Sequence, residues 1–236
     1  MIKTFLKLFS IFVISIFIPS LMLILWPIDR SKKFYTYLSY LWGASILSVC
    51  GIKVSAKNLE NVLNLKQCVI VANHASMFDI IALLKVLPQI RFMYKKELAP
   101  VPIWGWALQI GPHIKINRKK GIDAMRSLNN AVESLNKGGY VILFAEGTRT
   151  LDGNLLPFKR GAFLLAAKSG APIIPLSING TFGIKPKNSW MINSANVELI
   201  FHDAIASNPN ATREEEIALL NKTHEIISKD YKGILI

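Results

Sequence analysis

Nineteen consecutive residues near the start of the sequence carry no charge, and this run limits the possible folds more than any other feature. It extends from Leu8 to Trp26 and reads LFSIFVISIFIPSLMLILW. A helix of about 20 apolar residues is long enough to cross the hydrocarbon core of a bilayer. A second uncharged stretch, Phe34–Gly51, is rich in aromatic residues. Together the two stretches predict apolar helices in residues 1–52 that anchor the chain to a membrane.

The sequence leaves three interpretations of these stretches open. The first is a cleaved signal peptide, although the apolar run is longer than the usual ~7–15 residues and no small-residue cleavage site follows Leu25 closely. The second is a transmembrane helix. The third is a helical hairpin that enters one leaflet and returns, with its bend at Pro19 or in the Trp26–Lys33 segment. Basic residues lie on both sides of the first run, so the orientation is not determined.

Basic residues outnumber acidic ones by 28 to 15, which gives the chain a formal charge of +13. Such a surface attracts polyanions, which include nucleic acids, anionic lipid headgroups and phosphorylated small molecules. The sequence has no helix-turn-helix, zinc-finger or RNA-recognition signature, so we expect no nucleic-acid partner. Its two cysteines, Cys50 and Cys68, lack C-x-x-C spacing and provide no disulfide framework. We therefore expect the functional site to face a reducing compartment.

From Lys53 onward, short apolar runs alternate with segments of helical periodicity. This pattern predicts an α/β domain in residues 53–236, with a mixed, largely parallel sheet flanked by helices. In the clearest helix, Ile122–Lys137, apolar residues recur every three or four positions until two glycines end it. The predicted strands are Cys68–Ala72, Ile90–Tyr94, His113–Ile116, Tyr140–Phe144, Ile173–Ile178 and Val197–Phe201. The other predicted helices are Ser76–Leu87, Ile103–Ile110, Gly161–Ser169 and Arg213–Asp230.

The first polar motif follows the strand that ends at Ala72 and reads NHASMFDI. Ser76-x-x-Asp79 resembles the capping box that opens a helix, so we expect His74 in the strand-to-helix turn and Asp79 in the first helical turn. The Asp79 carboxylate would bind one imidazole nitrogen and leave the other free to accept a proton. Alternatively, Asp79 only caps the helix and His74 is an ordinary turn residue. A metal site is not indicated, because the other histidines show no ligand spacing with His74: His113, His202 and His224.

A second motif follows the predicted strand Tyr140–Phe144 and reads AEGTR, from Ala145 to Arg149. Gly147 allows the backbone to approach a ligand closely, and the planar guanidinium of Arg149 suits a phosphate group. Alone, this stretch is also compatible with a surface turn and an ion pair. Because both motifs follow buried strands, together they indicate a site that combines a proton acceptor with an anion-binding group.

With these two motifs the sequence resembles the glycerolipid acyltransferase family, and within it the 1-acylglycerol-3-phosphate (lysophosphatidate) acyltransferases. NHASMFD and FAEGTR are similar to two of the family's motifs. Between them, GPHIKINRKKG is similar to the block in which an arginine, here Arg118, follows an apolar-acidic pair. After them, GAPIIPLSING is similar to the apolar-proline block, and YKKEL and PFKRGAF also fit. The resemblance covers residues 67–180, and an apolar segment before the first motif is typical of the family.

The resemblance implies that the domain transfers a fatty acyl group from acyl-CoA or acyl carrier protein to the free hydroxyl of 1-acylglycerol-3-phosphate, giving phosphatidate in phospholipid biosynthesis. His74 would be the general base and Asp79 would orient it. Glu146 would either contact a glycerol hydroxyl or hold Arg149. The implied substrate-binding residues are Arg118, Glu146, Gly147, Thr148 and Arg149, with Lys95 and Lys96.

A thioester is already activated, so we expect no metal and no other cofactor. The implied partners are the lysophospholipid, the acyl donor and membrane lipids. The implied location is the inner or cytoplasmic membrane, with the catalytic domain facing the cytoplasm.

The sequence departs from the family pattern in one block. It carries Lys115-Ile116-Asn117-Arg118 where Phe-Ile-Asp-Arg is usual. The added cation and the lost acid leave another lysophospholipid or glycerol-3-phosphate open as the acceptor. A different alternative is a non-catalytic, membrane-anchored module that binds anionic lipid. The activity of a His74→Ala variant separates the enzyme from the module.

Overall fold

The computed structural model of the protein describes residues 2–117, 121–185 and 190–233. Within these ranges the helices are α1 Ile2–Leu25, α2 Lys33–Cys50, α3 Glu60–Leu63, α4 Phe78–Val86, α5 Trp104–Ile110, α6 Gly121–Asn136, α7 Gly161–Ser169 and α8 Arg213–Asp230. The strands are β1 Lys53–Lys57, β2 Gln67–Ala72, β3 Arg91–Lys95, β4 Ile114–Ile116, β5 Gly139–Phe144, β6 Ile173–Asn179 and β7 Asn196–Phe201. A short 3₁₀ turn, Lys96–Leu98, follows β3.

The strands form one seven-stranded sheet in the order β1-β7-β6-β2-β5-β3-β4. All neighbouring strands are parallel except β6 and β7, which confirms the predicted mixed, largely parallel sheet. The central strand β2 is buried on both faces, because its side chains alternate between two cores. Cys68, Ile70 and Ala72 pack on the α2 and α4 side, and Val69 and Val71 pack on the α6 and α7 side.

The sequence pattern did not predict β1 and α3. Strand β1 pairs with β7 at the edge of the sheet, and four of its five residues are exposed. Its sequence, KVSAK, has no apolar alternation and carries a lysine at each end, as is common for edge strands. Hydrophobic periodicity therefore gives no signal for this strand.

Helices α1 and α2 form a hairpin whose turn is built around Asp29. The Asp29 side chain is buried and accepts hydrogen bonds from the backbone N–H groups of Phe34 (3.2 Å) and Tyr35 (2.8 Å). This carboxylate caps the start of α2, where it also complements the helix dipole. Of the described helices, α1 is the one long and apolar enough to cross a membrane, judged by length and composition.

The hairpin also packs against the α/β part of the chain. Ile46 and Leu47 of α2 share a core with Leu83 and Leu84 of α4. Gly43 permits this contact, because a Cβ atom at this position would lie 2.9 Å from the backbone oxygen of Ile81. The predicted domain boundary at residue 52 stays a prediction.

Candidate active site

Adjacent parallel strands deliver polar residues to one edge of the sheet. His74 follows β2, Glu146–Arg149 follow β5, and Lys95 and Lys96 lie at the end of β3. In the sheet these strands are neighbours in the order β2-β5-β3, and neighbouring strands lie ~4.8 Å apart. The structure thus brings the two predicted motifs to adjacent positions. Arg118, which follows β4 in the sequence, lies outside the described residues.

His74 and Asp79 are in direct contact. His74 Nδ1 lies 2.7 Å from Asp79 Oδ2, and the Asp79 side chain is fully buried. The same oxygen accepts the backbone N–H groups of Ala75 (2.9 Å) and Ser76 (3.0 Å). When Nδ1 donates its proton to this carboxylate, Nε2 is the basic nitrogen of the ring. The predicted His–Asp pair is therefore present in the geometry that a general base requires.

Only half of the predicted capping box at Ser76 forms: Asp79 accepts the backbone N–H of Ser76 (3.0 Å), but among the described residues no backbone N–H donates to the Ser76 hydroxyl. Helix α4 begins at Phe78, and no side chain caps its first turn. The Ser76 hydroxyl instead donates to the backbone oxygen of Lys185 (3.3 Å), in the segment after β6. Asp79 faces backwards and satisfies the backbone of the turn, so it both orients the histidine and holds the turn in place.

Two neighbours fix the position of the His74 turn. The side-chain amide of Asn73 donates to the backbone oxygen of Ile178 (2.9 Å) and accepts the backbone N–H of the same residue (2.8 Å), which ties the turn to β6. The His74 ring stacks on Phe144, the last residue of β5, with 4.0 Å between ring centroids and 18° between planes. The histidine side chain remains 16% exposed, so one edge of the ring is open.

Glu146 connects the two motifs. Its Oε1 accepts the backbone N–H of His74 (2.6 Å), and its Oε2 accepts that of Leu156 (3.1 Å). The backbone N–H of Thr150 in turn donates to the His74 oxygen (3.0 Å). Burial raises the pKa of Glu146 to about 7, the negative charge of Asp79 acts in the same direction, and the two backbone N–H groups oppose the shift. Among the described residues Glu146 makes no ion pair with Arg149, so it does not hold that side chain here, and its expected contact with a glycerol hydroxyl stays a prediction for a residue that is 2% exposed.

The remaining predicted binding residues follow or end strands β5 and β3, which are neighbours in the sheet. Arg149 is half-buried, whereas Thr148, Lys95 and Lys96 are exposed. Within the described part of the chain, the Arg149 guanidinium makes no ion pair and no hydrogen bond. This guanidinium is therefore available to an anionic ligand.

Lys159 also lies at this site, and the sequence motifs did not single it out. Gly147 has φ +71°, and a Cβ atom there would lie 2.9 Å from Lys159 Nζ and 3.1 Å from its Cδ. The lysine side chain therefore runs across the face of Gly147 that any other residue would fill. The block PFKRGAF carried a signal of family likeness, but nothing in it distinguishes Lys159 from Arg160.

Tyr231, beyond the end of α8, supports the loop after the second motif. Its hydroxyl donates to the backbone oxygen of Gly153 (2.8 Å), and Asn179 binds the backbone on both sides of it. Burial raises the pKa of Tyr231 to about 12, and the negative charges of Glu146, Asp79 and Asp152 add to the shift.

An apolar cavity of about 70 Å³ lies between the hairpin and the α/β part. It extends beside α4, the helix that carries Asp79, and burial lowers the pKa of His113 in its wall to about 4. Its lining includes Pro19, Met22, Trp42, Leu84, Phe92 and His113.

Comparison with known proteins agrees with this geometry. The family model Acyltransferase matches residues 53–179, which is more than half of the chain. The chain therefore belongs to the acyltransferase family.

Individual relatives have more specific names than the family model. A 1-acyl-sn-glycerol-3-phosphate acyltransferase of Pseudomonas aeruginosa is 32% identical over 179 residues, 75% of this chain and 68% of the relative. The chloroplastic 1-acyl-sn-glycerol-3-phosphate acyltransferase BAT2 of Brassica napus is 36% identical over 176 residues, 74% of this chain and 51% of the relative. The chain thus spans about half the length of the chloroplastic relatives from Brassica napus and Arabidopsis thaliana. The crystal structure of the 1-acyl-sn-glycerophosphate acyltransferase PlsC from Thermotoga maritima superposes with a TM-score of 0.83, at 27% identity, over 97% of this chain and 92% of that one.

Proposed function

We propose that the protein transfers a fatty acyl group from a thioester to the free hydroxyl of 1-acylglycerol-3-phosphate and forms phosphatidate. The single observation that carries this proposal is the 2.7 Å contact between His74 and Asp79, beside a turn that presents Arg149. A base for a hydroxyl and a cation for a phosphate stand at one edge of the sheet. The names of the relatives from Pseudomonas aeruginosa and Thermotoga maritima support this acceptor.

His74 acts as the general base in the proposed reaction. Its Nε2 takes the proton of the acceptor hydroxyl as the oxygen attacks the thioester carbonyl. The carbon–sulfur bond then breaks, and the leaving thiolate receives the proton from the imidazolium. The buried Asp79 carboxylate stabilises the positive ring between these steps. General-base catalysis of this kind contributes about 10²–10⁴-fold to the rate.

The cations of the site bind the acceptor phosphate in this proposal. Arg149 provides a planar donor pair, and Lys95 and Lys96 add positive charge from the neighbouring strand. Arg118 joins them on the strength of the family resemblance. Gly147 and Thr148 shape the turn, and Glu146 positions the backbone of His74 rather than contacting substrate.

No metal or prosthetic group takes part in the proposed chemistry, because a thioester carbonyl is already reactive toward an alkoxide-like oxygen. Acyl-CoA or acyl carrier protein is the co-substrate.

We propose that the protein attaches to a membrane through α1 without crossing it. Near its start, Lys7 Nζ donates to the backbone oxygen of Ile192 (3.2 Å) in the α/β part. Near its end, Ile18 and Met22 pack against the cluster that contains Ala107 of α5. A helix held to the same body at both ends lies along that body, and only its outer side can face lipid. The catalytic domain would then lie on the cytoplasmic face of the inner or cytoplasmic membrane, where both acyl donors occur.

Acyl transfer by the purified full chain to a panel of lysophospholipids and glycerol-3-phosphate tests the function. We expect the highest kcat/KM with lysophosphatidate and a loss of activity in His74→Ala without loss of folding. A higher kcat/KM with another acceptor would support the alternative suggested by Lys115 and Asn117. Transfer that survives His74→Ala would exclude His74 as the base, whereas a wild-type chain that transfers no acyl group to any acceptor would favour the lipid-binding module.

A further inference from the structure

We propose that Lys159 distinguishes the phosphomonoester headgroup of the acceptor from phosphodiester headgroups. Its ammonium provides, beside Arg149, a second positive charge for the second negative charge of the phosphomonoester. The proposal rests on the proposed acyl transfer and names the group that reads the headgroup charge.

A backbone hydrogen bond and the packing of the preceding residue hold Lys159 at the site. Its N–H donates to the backbone oxygen of Ala145, the residue directly before Glu146 (2.8 Å). The preceding residue, Phe158, is buried in the α6 and α7 core and contacts the ring of His224 edge-on (4.8 Å between centroids). The side chain then occupies the space beside Gly147 that a Cβ atom at this position would need. Lys159 is thus positioned by the fold even though its side chain is exposed.

No acidic side chain among the described residues compensates the charge of Lys159. In the described part of the chain its ammonium makes no ion pair and no hydrogen bond, and Arg149 is in the same situation. Arg160, the next residue, pairs with the mostly buried Glu216. The nearby carboxylates are already engaged: Glu146 binds backbone N–H groups, and Asp152 accepts from Thr150 and Asn154. Two unpaired cations beside one turn fit an anion with more than one charge.

The number of charges on the headgroup makes the proposal specific. A phosphomonoester carries about −1.5 to −2 at neutral pH because its second pKa is near 6, as in phosphoserine. A phosphodiester such as the headgroup of lysophosphatidylglycerol carries one negative charge at neutral pH and also at the lower and higher pH values of the test below. Arg149 and the other cations of the site can neutralise the first charge, and Lys159 contributes most when the second charge is present.

The test compares Lys159→Met with the wild-type full chain on lysophosphatidate and lysophosphatidylglycerol. We expect kcat/KM for lysophosphatidate to fall by about 10- to 100-fold, the effect of losing one charge-assisted hydrogen bond, and kcat/KM for lysophosphatidylglycerol to change by less than about 3-fold. The loss on lysophosphatidate should be larger at pH ~8 than at pH ~5.5, where the second proton of the phosphate is back in place. Lys159→Arg should retain most of the preference.

Lys168→Met is the matched control, because Lys168 lies at the opposite end of α7, and it should leave both rates unchanged. A second variant, Gly147→Ala, keeps the lysine but displaces its ammonium and should reduce the preference in the same way. An equal loss on both acceptors, or a loss on lysophosphatidate that does not vary with pH, would overturn the proposal. A wild-type chain that acylates neither acceptor would instead refute the proposed function itself.

Discussion

At the residue scale, one carboxylate oxygen of Asp79 determines both the orientation and the tautomer of the His74 ring. Asp79 Oδ2 accepts three donors at once, the His74 ring and two backbone N–H groups. An oxygen in this position favours the tautomer in which Nδ1 carries the proton. The same oxygen also holds the turn that carries the ring, through the two backbone N–H groups. Orientation and tautomer therefore depend on the same atom, and a neutral replacement cannot provide both.

Asp79→Asn tests this dependence. The amide can present its NH₂ group to His74 and leave the ring in the wrong tautomer, so we expect kcat to fall by at least about 10²-fold. Rates of acyl transfer with saturating substrates measure the effect. Asp203→Asn is the control. Among the described residues the Asp203 side chain forms a hydrogen bond with Asn61 alone. Asp203 follows β7, which is antiparallel to β6, and therefore lies at the edge of the sheet opposite the candidate site. A rate that stays within about 3-fold of wild type would show that Asp79 is only a helix-turn residue.

Glu146 predicts a pH dependence of stability. Its pKa in the folded chain is about 7, above the ordinary value of a glutamate, so between these values the folded state binds more protons than the unfolded state. The free energy of unfolding contributed by this group therefore falls as pH rises through that window. Urea unfolding of wild type and Glu146→Gln at several pH values measures it, and the glutamine variant should lack this part of the slope. Identical slopes in the two proteins would contradict the assignment, whatever their absolute stabilities.

At the scale of secondary-structure elements, buried runs were predictable and contacts between distant segments were not. Strand β2 stands out as five consecutive buried residues, and α8 begins at Arg213 as predicted because Thr212 and Glu215 form a capping box. The same kind of signal at Ser76 was half correct, since Asp79 accepts the backbone N–H of Ser76 but the Ser76 hydroxyl bonds Lys185. Propensity describes neighbours in sequence, whereas the partner of Ser76 belongs to another loop.

The residues of the candidate site fall into the same two groups, those predictable from the sequence and those that depend on distant contacts. His74, Asp79 and the turn Glu146–Arg149 follow apolar strands directly, so the sequence order predicted their common edge. Lys159 reaches that edge through a loop whose path depends on the packing of Phe158. No pattern in the sequence measures that path. Nothing in the sequence indicated either that Glu146 binds the backbone N–H groups of His74 and Leu156.

Gly147 allows a prediction at this scale. An alanine there would have to adopt φ +71° and would place its Cβ against the Lys159 ammonium. We expect Gly147→Ala to lower the free energy of unfolding by about 1–2 kcal/mol, the usual cost of the left-handed region, and to raise KM for the acceptor. Gly161→Ala is the matched control, because no atom lies within 4 Å of the added Cβ, and it should be neutral or slightly stabilising. Equal destabilisation of both variants would contradict the role given to the turn.

At the scale of the whole molecule, α1 presents an apolar surface on the side that faces away from the protein. Its large exposed side chains recur at helical spacing, from Ile2, Phe5 and Phe9 to Phe12 and Ile16. Leu8, Ile11 and Ile14 on the opposite side pack against the core. A helix that is apolar on both sides but buried on one requires a second apolar environment, and a bilayer provides it.

The membrane contact is testable with one substitution on the exposed surface of α1 and a control substitution at an exposed residue elsewhere. Phe9 is 58% exposed on α1, and Leu63 is 50% exposed on α3, before the amino end of β2 and away from the candidate site. Burying a phenylalanine in lipid contributes about 1.5–3 kcal/mol, so Phe9→Ser should weaken the partition into phospholipid vesicles by about tenfold or more, and Leu63→Ser should not change it.

Salt separates this apolar contact from adsorption of the basic surface. Because the chain carries a formal charge of +13, binding to anionic vesicles should weaken with ionic strength to the same extent in wild type and in Phe9→Ser. The ratio between the two proteins should therefore stay constant in cosedimentation at low and high salt, since screening acts on charges and not on apolar area. A ratio that approaches one at high salt would mean that α1 does not enter the lipid and that charge alone holds the protein at the membrane.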